Sequence, residues 1–299
     1  MSVPASGQTA ERNSHLKAVG FLIGGISSFQ IGATVAKGLF PLFGPTGMVG
    51  LRVGLAALIL LAIWRPTRSG ITVQSLKLLL PYGASMAVMN FCFYVALTRL
   101  PLGIVVALEF TGPLTLALAG SRRWLDLCWA LFVVLGLYLL LRPETMAAGT
   151  MHSFDLFGVA AALLSGCGWI VYILTGTRIG RMFDAGHATT LGMTTAGVLL
   201  LPWLIPVIPT AIMHPWQGGM AISVAVLSSA VPYILDMLAM RRLSPRDLGI
   251  LLSMEPMLGA ISGLILLHEA LSIARWIGVL CIVIASAGNV LTRQKAIAH

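Results

Sequence analysis

Residues 101–120, PLGIVVALEFTGPLTLALAG, form an apolar run in which Glu109 is the one charged side chain. An α-helix rises about 1.5 Å per residue, so a run of this length crosses the roughly 30 Å hydrocarbon core of a bilayer. The whole chain has the same character, with a mean hydropathy of +0.93 and 10% charged residues. Soluble domains carry about a quarter charged residues. The sequence therefore predicts a membrane protein and excludes a soluble globular one.

Further runs of similar length lie on both sides of this one, each long enough to cross a membrane as a helix. The ten predicted spans are 17–36, 44–64, 76–98, 101–120, 124–141, 155–176, 187–209, 219–241, 245–267 and 272–292. Short connections make consecutive spans antiparallel neighbours. The segment before Ser14 is polar and lacks the short apolar core of a signal peptide, so we expect the first run to be a span.

Lysine and arginine are distributed unevenly between the two sides of the predicted bundle. With the N-terminus inside, the inner segments hold fourteen of the 19: Arg12, Lys17, Arg65, Arg68, Lys77, Arg122, Arg123, Arg178, Arg181, Arg241, Arg242, Arg246, Arg293 and Lys295. The outer segments hold Lys37, Arg99, Arg142 and Arg275. Cytoplasmic loops are rich in Lys and Arg, so both termini are predicted to be cytoplasmic. This topology explains the net charge of +9, and we expect no nucleic-acid partner.

An internal repeat is predicted from segment 96–120, which aligns without gaps on segment 239–263. Arg99-Leu100 matches Arg242-Leu243, and Pro113 matches Pro256. Chance similarity between two apolar helices is the competing explanation. Under the repeat, five spans correspond to the next five in inverted orientation. The predicted fold is an all-α integral membrane protein of two inverted five-helix repeats, 17–141 and 155–292, with cytoplasmic tails 1–16 and 293–299.

Four ionisable residues lie well inside predicted spans: Arg52, Glu109, Asp236 and Glu255. A charge in the bilayer is costly unless it is paired or hydrated, so such residues suggest function. Arg52 could instead form a structural ion pair with one of the acids. The prolines Pro113 and Pro256 are expected to break their helices and expose carbonyl groups beside the two glutamates. These sites could hold an ammonium group or a proton, or a protonated carboxyl could simply cap each kink.

Polar and aromatic stripes on four spans predict a binding cavity, with direct helix-to-helix hydrogen bonding as the alternative. Span 8 carries Ser229, Tyr233 and Asp236 on one face beside Pro232, and the repeat pairs Tyr233 with Asn90 of span 3. Other stripes contain Ser165, Ser27 and Thr34. The candidate substrate-binding residues are Gln30, Tyr82, Asn90, Glu109, Trp169, Tyr172, Tyr233, Asp236 and Glu255, and the candidate helix-breaking residues are Pro113, Pro232 and Pro256.

Motifs for other chemistry are missing from the sequence. It contains no phosphate-binding loop, no nucleophile elbow and no spaced cluster of metal ligands, so we expect no enzyme activity, cofactor or metal. His268-Glu269 is followed by no second histidine and is predicted to end a helix at the outer surface. Cys92, Cys128, Cys167 and Cys281 lie in apolar runs without a CxxC pair and are predicted to be packing residues.

Several of these segments resemble a known family. They are PLGIVVALEFTGPLTLALAGSRR at 101–123, VPYILDMLAMRRL at 231–243, SMEPMLGAISGLILLHEAL at 253–271 and IGATVAKGLFPLFG at 31–44. They are similar to the bacterial threonine/homoserine exporters, in the EamA branch of the drug/metabolite transporter superfamily. The resemblance implies ten spans in two inverted halves and export of amino acids across the bacterial inner membrane. It also implies a central pair, Glu109 and Glu255, with their prolines, and cavity faces on spans 1, 3, 6 and 8.

The leading hypothesis is a secondary transporter that exports small amino acids by alternating access. An acidic side chain would meet the substrate ammonium group, and a carboxylate that alternately holds a proton would couple export to the proton gradient. Export of hydrophobic cations, drugs or other metabolites is the first alternative. A membrane protein without transport activity is the second.

Overall fold

The computed structural model describes residues 5–66, 72–119, 124–141, 144–145, 151–152, 155–240 and 252–295. Its α-helices are α1 (Ala5–Trp64), α2 (Val73–Leu97), α3 (Leu102–Ala119), α4 (Trp124–Leu141), α5 (Leu156–Ile179), α6 (Ala185–Leu199), α7 (Leu201–Leu204), α8 (Ile208–Met213), α9 (Pro215–Ala225), α10 (Val231–Met240), α11 (Glu255–Leu267) and α12 (Ile273–Lys295). The short strands β1 (Glu144–Thr145) and β2 (Met151–His152) pair in antiparallel fashion between α4 and α5. The described part of the chain is thus helical apart from this small pair.

The helices are apolar and long enough to cross a membrane in several places. Four described helices meet that criterion: Gly20–Trp64, Val73–Leu97, Leu156–Ile179 and Pro215–Ala239. The pair Ala185–Leu199 and Leu201–Met213, bent by 62°, would be a fifth. Shorter apolar helices cover Leu102–Leu116, Cys128–Leu141, Glu255–Leu267 and Ile273–Gly288.

The first two predicted spans form one nearly continuous helix, so the predicted loop over 37–43 is wrong. Helix α1 runs through these residues and breaks at Gly44, whose φ of 67° and ψ of 161° lie outside helical geometry. A positive φ suits glycine because it lacks a Cβ atom. Pro45 follows directly and begins the second half of the helix, a position that tolerates its missing N–H. Residues 38–43 are apolar apart from the backbone and remain helical up to this break.

The seventh and eighth predicted spans are interrupted. The seventh consists of α6, α7, a 3₁₀ turn at Ile205–Val207 and α8, with prolines at 202, 206 and 209. The eighth contains a π-helical turn, Val226–Ala230, between α9 and α10, and the Val231 N–H donates to the Val226 carbonyl. Such turns often occur at functional sites. Pro232 follows the π-helical turn and lies in the first turn of α10.

The ninth predicted span is also interrupted, next to Pro256. Pro256 lies in the first turn of α11, which begins at Glu255 after a turn at residues 253–254, so this proline is not inside a continuous helix. A proline is well tolerated at that position because the first N–H groups of a helix have no internal acceptor. The residues 241–251 before it lie outside the described residues, as do Arg68, Arg122, Arg123 and Arg142. The Arg242-Leu243 match of the repeat therefore has no structural counterpart here.

Helix packing sets the geometry of the centre. Helix α2 packs on α5 and α6, and α3 packs on α5 and α11. The long helix α1 packs on α6, α9, the π-helical turn and α10, while α4 pairs with α12. The core contains buried aliphatic side chains with Tyr82, Tyr94 and Tyr172 among the largest. The middle of the bundle is thus formed by α1, α2, α3, α5, α10 and α11.

Two polar residues cap helices outside the bundle centre. Asp155 accepts hydrogen bonds from the Phe157 and Gly158 N–H groups at the start of α5, and Arg99 pairs with its carboxylate. Asp184 caps α6 through the His187 N–H. Burial raises the Asp184 pKa, but the hydrogen bonds from His187 outweigh it and hold this pKa below its usual value. Both aspartates satisfy backbone groups that a helix end would otherwise leave unpaired.

Candidate substrate cavity

A cavity lies at the centre of the bundle, between α1, α2, α3, α5, α10 and α11. Its polar lining residues are Asn90, Glu109, Trp169, Tyr233, Asp236 and Glu255, and the remaining walls come from Gly25, Ile26, Phe29, Met89, Phe93, Pro232 and Leu252. The free volume is about 20 Å³. That is room for about one water molecule, so the cavity is contracted in this conformation.

Glu109 is held by a hydroxyl that touches two other helices. Ser165 Oγ of α5 lies 2.7 Å from the Met89 carbonyl oxygen of α2 and also contacts Glu109 Oε1 of α3. A serine hydroxyl carries one proton and a carbonyl only accepts. When Ser165 donates to Met89, the proton between Ser165 and Glu109 must belong to Glu109. When Glu109 is ionised, Ser165 can donate to it and release Met89.

Two prolines near the cavity each remove the helical hydrogen-bond donor of a carbonyl group. The two carbonyl groups have different neighbours. The predicted break at Pro113 is wrong, since α3 continues from Leu102 to Ala119 with this proline inside it. Pro113 still removes the helical donor of the Glu109 carbonyl. This carbonyl faces α5, because a Cβ on Gly166 would lie 2.6 Å from its oxygen. Pro232 removes the helical donor of the Ser228 carbonyl, which instead accepts a hydrogen bond from Arg52 at 3.0 Å.

Asp236 and Glu255 complete the acidic part of the lining. Asp236 lies one turn after Tyr233 on α10 and is 9% exposed. Helix α1 approaches it closely, since a Cβ on Gly25 would lie 3.2 Å from Asp236 Oδ1. Glu255 is the first residue of α11. Within the described residues, neither carboxylate forms an ion pair, so a cationic ligand would find both available.

Asn90 and Tyr233, which the predicted repeat would place at corresponding positions, are in contact at the cavity. Asn90 Nδ2 donates to the Tyr233 hydroxyl at 2.8 Å and to the Met86 carbonyl at 2.6 Å. The Asn90 Oδ1 atom accepts from Arg52. The expected alternative for Arg52, an ion pair with one of the membrane acids, does not occur among the described residues.

Tyr82 and Tyr172 do not line the cavity but form an aromatic cluster beside it. Their rings stack with centroids 5.3 Å apart and an interplanar angle of 17°. Tyr172 also meets Trp169 and Tyr233 edge-on, at 5.4 Å and 5.8 Å. Offset and edge-to-face pairs of this kind are favourable. The cluster therefore connects α2, α5 and α10 next to the cavity.

Gln30 was predicted to bind substrate, but its side chain does not line the cavity. Its side chain on α1 is 1% exposed, it is absent from the cavity lining, and neither amide atom has a hydrogen-bond partner. Its neighbour Phe29 does line the cavity. A buried amide without partners is costly, so Gln30 is the member of the predicted set whose environment the hydrogen bonds explain least.

An ion pair lies between the middle of α1 and the segment that follows α11. Lys37 contacts the Glu269 carboxylate, whose second oxygen accepts the Leu102 N–H at 2.7 Å. Glu269 follows α11 beyond His268, which ends the helix in left-handed geometry with a φ of 54°. The pair borders a space of about 580 Å³ that also contacts Phe40 and Arg99. One carboxylate thus connects α1, the start of α3 and the end of α11.

Sequence reasoning missed the apolar walls and the partners of Arg52. Gly25, Ile26 and Phe29 lie on the α1 face that approaches α10, and periodicity alone does not separate this face from a lipid-facing one. The described residues contain no cluster of side chains suited to a metal ion. The cysteines described are free, with Cys92 and Cys281 buried.

Comparisons with known proteins found similar sequences. Residues 156–291 match the EamA-like transporter family. The threonine/homoserine exporter RhtA of Salmonella typhimurium strain LT2 is 43% identical over 271 residues, which cover 90% of each chain. RhtA of Escherichia coli strain K12 is 42% identical over 275 residues, or 92% of this chain and 91% of that one.

The fold also has a counterpart among solved structures. One crystal structure matches 97% of this chain and 99% of its own with a TM-score of 0.59 at 16% identity, which shows a shared fold. The relatives are similar over nearly their full length, and the cavity lies where α1 to α3 meet α5, α10 and α11. This chain therefore belongs to the EamA-like transporter family.

Proposed function

We propose that this chain is a secondary transporter that exports small amino acids, with threonine and homoserine as the first candidates, across the bacterial inner membrane by alternating access. One observation carries the proposal: three carboxyl groups and the hydrogen-bonding side chains of Asn90, Trp169 and Tyr233 line a single small cavity. A zwitterionic substrate needs both kinds of partner in one water-poor site. The similarity to the RhtA exporters supports the substrate class.

The proposed topology has ten crossings with both termini in the cytoplasm. Gly20–Trp64, with 45 residues, is long enough for two crossings on either side of Gly44. Three other long helices, the bent pair and four shorter apolar helices would provide the remaining eight within the described residues. The lysine and arginine distribution supports this orientation.

Helix pairing supports two inverted units, 17–141 and 155–292. The fourth and ninth crossings pack together as α3 and α11, and the fifth and tenth as α4 and α12. The contact of the third with the sixth, α2 on α5, corresponds to that of the eighth with the first, α9 and α10 on α1. Each of these contacts is mapped onto another of them, or onto itself, when every crossing is replaced by its proposed counterpart. Inverted units of this kind allow a central site to open to either side in turn.

In this topology the Tyr82–Tyr172 stack lies on the cytoplasmic side of the cavity and the Lys37–Glu269 pair on the outer side. Both are formed in the structure, and the cavity between them has room for about one water molecule. The proposed cycle opens the aromatic cluster to admit substrate from the cytoplasm. It then closes this cluster and parts the ion pair to release substrate outside.

Glu109 is the proposed proton carrier. Its contact with Ser165 can exist in two forms, and only the protonated form leaves Ser165 free to donate to Met89 of α2. Loss of the proton would therefore weaken a direct link between α5 and α2. This gives the proton a mechanical effect on the helices that enclose the cavity, as coupled transport requires.

The test is counterflow of radiolabelled L-threonine and L-homoserine in liposomes that contain the purified protein, with and without a pH gradient. We expect the gradient to accelerate flux in the wild type and to have no effect on Glu109→Gln. Asp184→Asn is the matched acid-to-amide control, because asparagine also caps a helix, and it should behave like the wild type.

Each outcome of this test addresses one part of the proposal. No flux of either amino acid in the wild type would overturn the amino-acid assignment. Equal flux with and without the gradient would reject obligatory proton coupling. Carboxyl groups beside Phe29, Phe93 and Trp169 also suit hydrophobic cations, which is the second candidate function. Resistance of expressing cells to cationic dyes, with no resistance to toxic amino-acid analogues, would favour it.

A further inference from the structure

Arg52 is a buried cation that the acidic residues leave uncompensated. It lies on α1, is 0% exposed, and forms no ion pair with any described carboxylate. Burying an ionised group is expensive unless it is paired or fully hydrogen-bonded. The Arg52 Nε atom has no hydrogen-bond partner at all. The guanidinium therefore has no direct ion-pair partner among the described residues, and an anionic group nearby would be stabilised by it.

The guanidinium is fixed in place by four neighbours. Nη1 donates to the Ser228 carbonyl, which Pro232 has deprived of its helical donor, and Nη2 donates to Asn90 Oδ1. The Arg52 Cζ atom lies 4.7 Å from the centre of the Tyr94 ring and 5.5 Å from that of Phe29. Aromatic faces favour a cation at these distances. Arg52 is thus held one layer behind the cavity wall, in contact with Asn90, which belongs to that wall.

Arg52 fixes the orientation of the Asn90 side-chain amide, which belongs to the cavity wall. Since its Nη2 occupies Asn90 Oδ1, the Asn90 amide nitrogen must be the group that faces Tyr233 and Met86. The Tyr233 hydroxyl accepts from Asn90, so its own proton is free to donate. Tyr233 lines the cavity. The chain from Arg52 through Asn90 to Tyr233 therefore ends in a donor, with a positive charge behind it.

We propose that this wall is the carboxylate subsite for an α-amino acid, and that Arg52 acts on it as a positioning residue through Asn90 and Tyr233. The ammonium group would then face Glu109, Asp236 and Glu255, so the cavity orients the zwitterion. The inference rests on the proposed function and adds the residue that discriminates an amino acid from a simple amine. A hydrogen bond to a charged group supports about a tenfold difference in affinity or more.

The experiment compares two ligands that differ in the carboxylate. Binding of L-threonine and of L-threoninol, the amine in which an alcohol replaces the carboxylate, is measured on the purified protein and as inhibition of threonine counterflow. We expect the wild type to bind threonine at least about tenfold more tightly than threoninol. Arg52→Gln and Tyr233→Phe should lose about tenfold in threonine affinity and leave threoninol affinity unchanged.

Tyr233→Phe keeps the test decisive if Arg52→Gln fails to fold, because it removes a single oxygen atom. Arg52→Lys keeps the charge and should recover part of the preference for threonine. Glu109→Gln should show a different pattern. It should lose affinity for both ligands, because both carry the ammonium group. Equal loss of both ligands in Tyr233→Phe and Arg52→Gln would overturn the carboxylate subsite while amino-acid transport stands. A wild type that neither binds nor moves threonine would overturn the proposed function itself.

Discussion

At the residue scale, the Ser165 hydroxyl connects its own helix to two others. It is fully buried on α5 and contacts the Met89 carbonyl of α2 and the Glu109 carboxyl of α3. Ser228, another buried serine, bonds instead to Val224 within its own helical segment. The difference matters because a hydrogen bond between helices holds elements together, whereas one within a helix does not.

Removing the Ser165 hydroxyl should destabilise the protein. Ser165→Ala would leave the buried Glu109 and Met89 oxygens without this partner, a loss of about 1–3 kcal/mol. The measurement is the melting temperature of the purified protein in detergent. Ser223→Ala is the control, since Ser223 is exposed and bonds within its helix to Gly219. Equal melting temperatures for the two variants would contradict a structural role for the shared hydroxyl.

Single residues of the site were predictable to different extents. Asn90 and Tyr233 could be paired in advance because the predicted repeat would place them at corresponding positions, and they are in contact in the structure. The partners of Arg52 could not, since one of them is a backbone carbonyl of Ser228, 176 positions away. A carbonyl has no signature in sequence. Pro232, four residues later, is the one signal that could have indicated it.

At the scale of elements, glycines bring α3 and α5 into direct backbone contact. A Cβ on Gly166 would lie 2.6 Å from the Glu109 carbonyl oxygen, and a Cβ on Gly112 would overlap the backbone of Gly166. Small residues at such crossings allow membrane helices to approach closely. The same close approach holds Ser165 and Glu109, the neighbours of these glycines, within contact distance.

Widening this crossing should therefore damage both packing and transport. Gly166→Val would force α3 and α5 apart, at a cost of about 1–3 kcal/mol typical of overpacking. Gly219→Ala is the matched control, because Gly219 lies in α9 with nothing within 4 Å of an added Cβ. We expect lower folded yield and slower threonine counterflow for the first variant and wild-type behaviour for the second. Normal yield and flux in Gly166→Val would show that the crossing can relax.

The element boundaries show where sequence patterns stop being informative. Apolar run length predicted α2, α3, α4 and α5 to within about three residues at their starts and ends. It failed at residues 37–43, because hydropathy does not register whether an apolar segment turns or stays helical. The break depends on the backbone of one residue, Gly44. Pro256 was predicted to interrupt its helix, and a turn at residues 253–254 lies directly before α11, which has this proline in its first turn.

At the scale of the whole molecule, the Lys37–Glu269 pair joins parts of the two proposed repeats. Lys37 belongs to α1, while Glu269 follows α11 and also holds the Leu102 N–H at the start of α3. The side chains are 27% and 16% exposed, so water and salt screen the attraction in part. Its stabilisation is expected to be below about 1 kcal/mol.

A double-mutant cycle on this pair should show coupling. Lys37→Gln and Glu269→Gln each remove one charge, and the amide oxygen at 269 can still accept the Leu102 N–H. Each variant should lower the melting temperature by a similar amount, and the double variant should lower it no further. High salt should reduce these differences. Additive effects in the double variant would mean that the two residues act independently, and the pair would then have no role in closing the outer side.

The small volume of the central cavity also has a consequence for proton leakage across the membrane. A file of hydrogen-bonded water across a hydrocarbon core of about 30 Å would conduct protons without moving any substrate. Space for about one water molecule interrupts such a file. Under the proposed function, this conformation would therefore not conduct protons through the cavity in the absence of substrate.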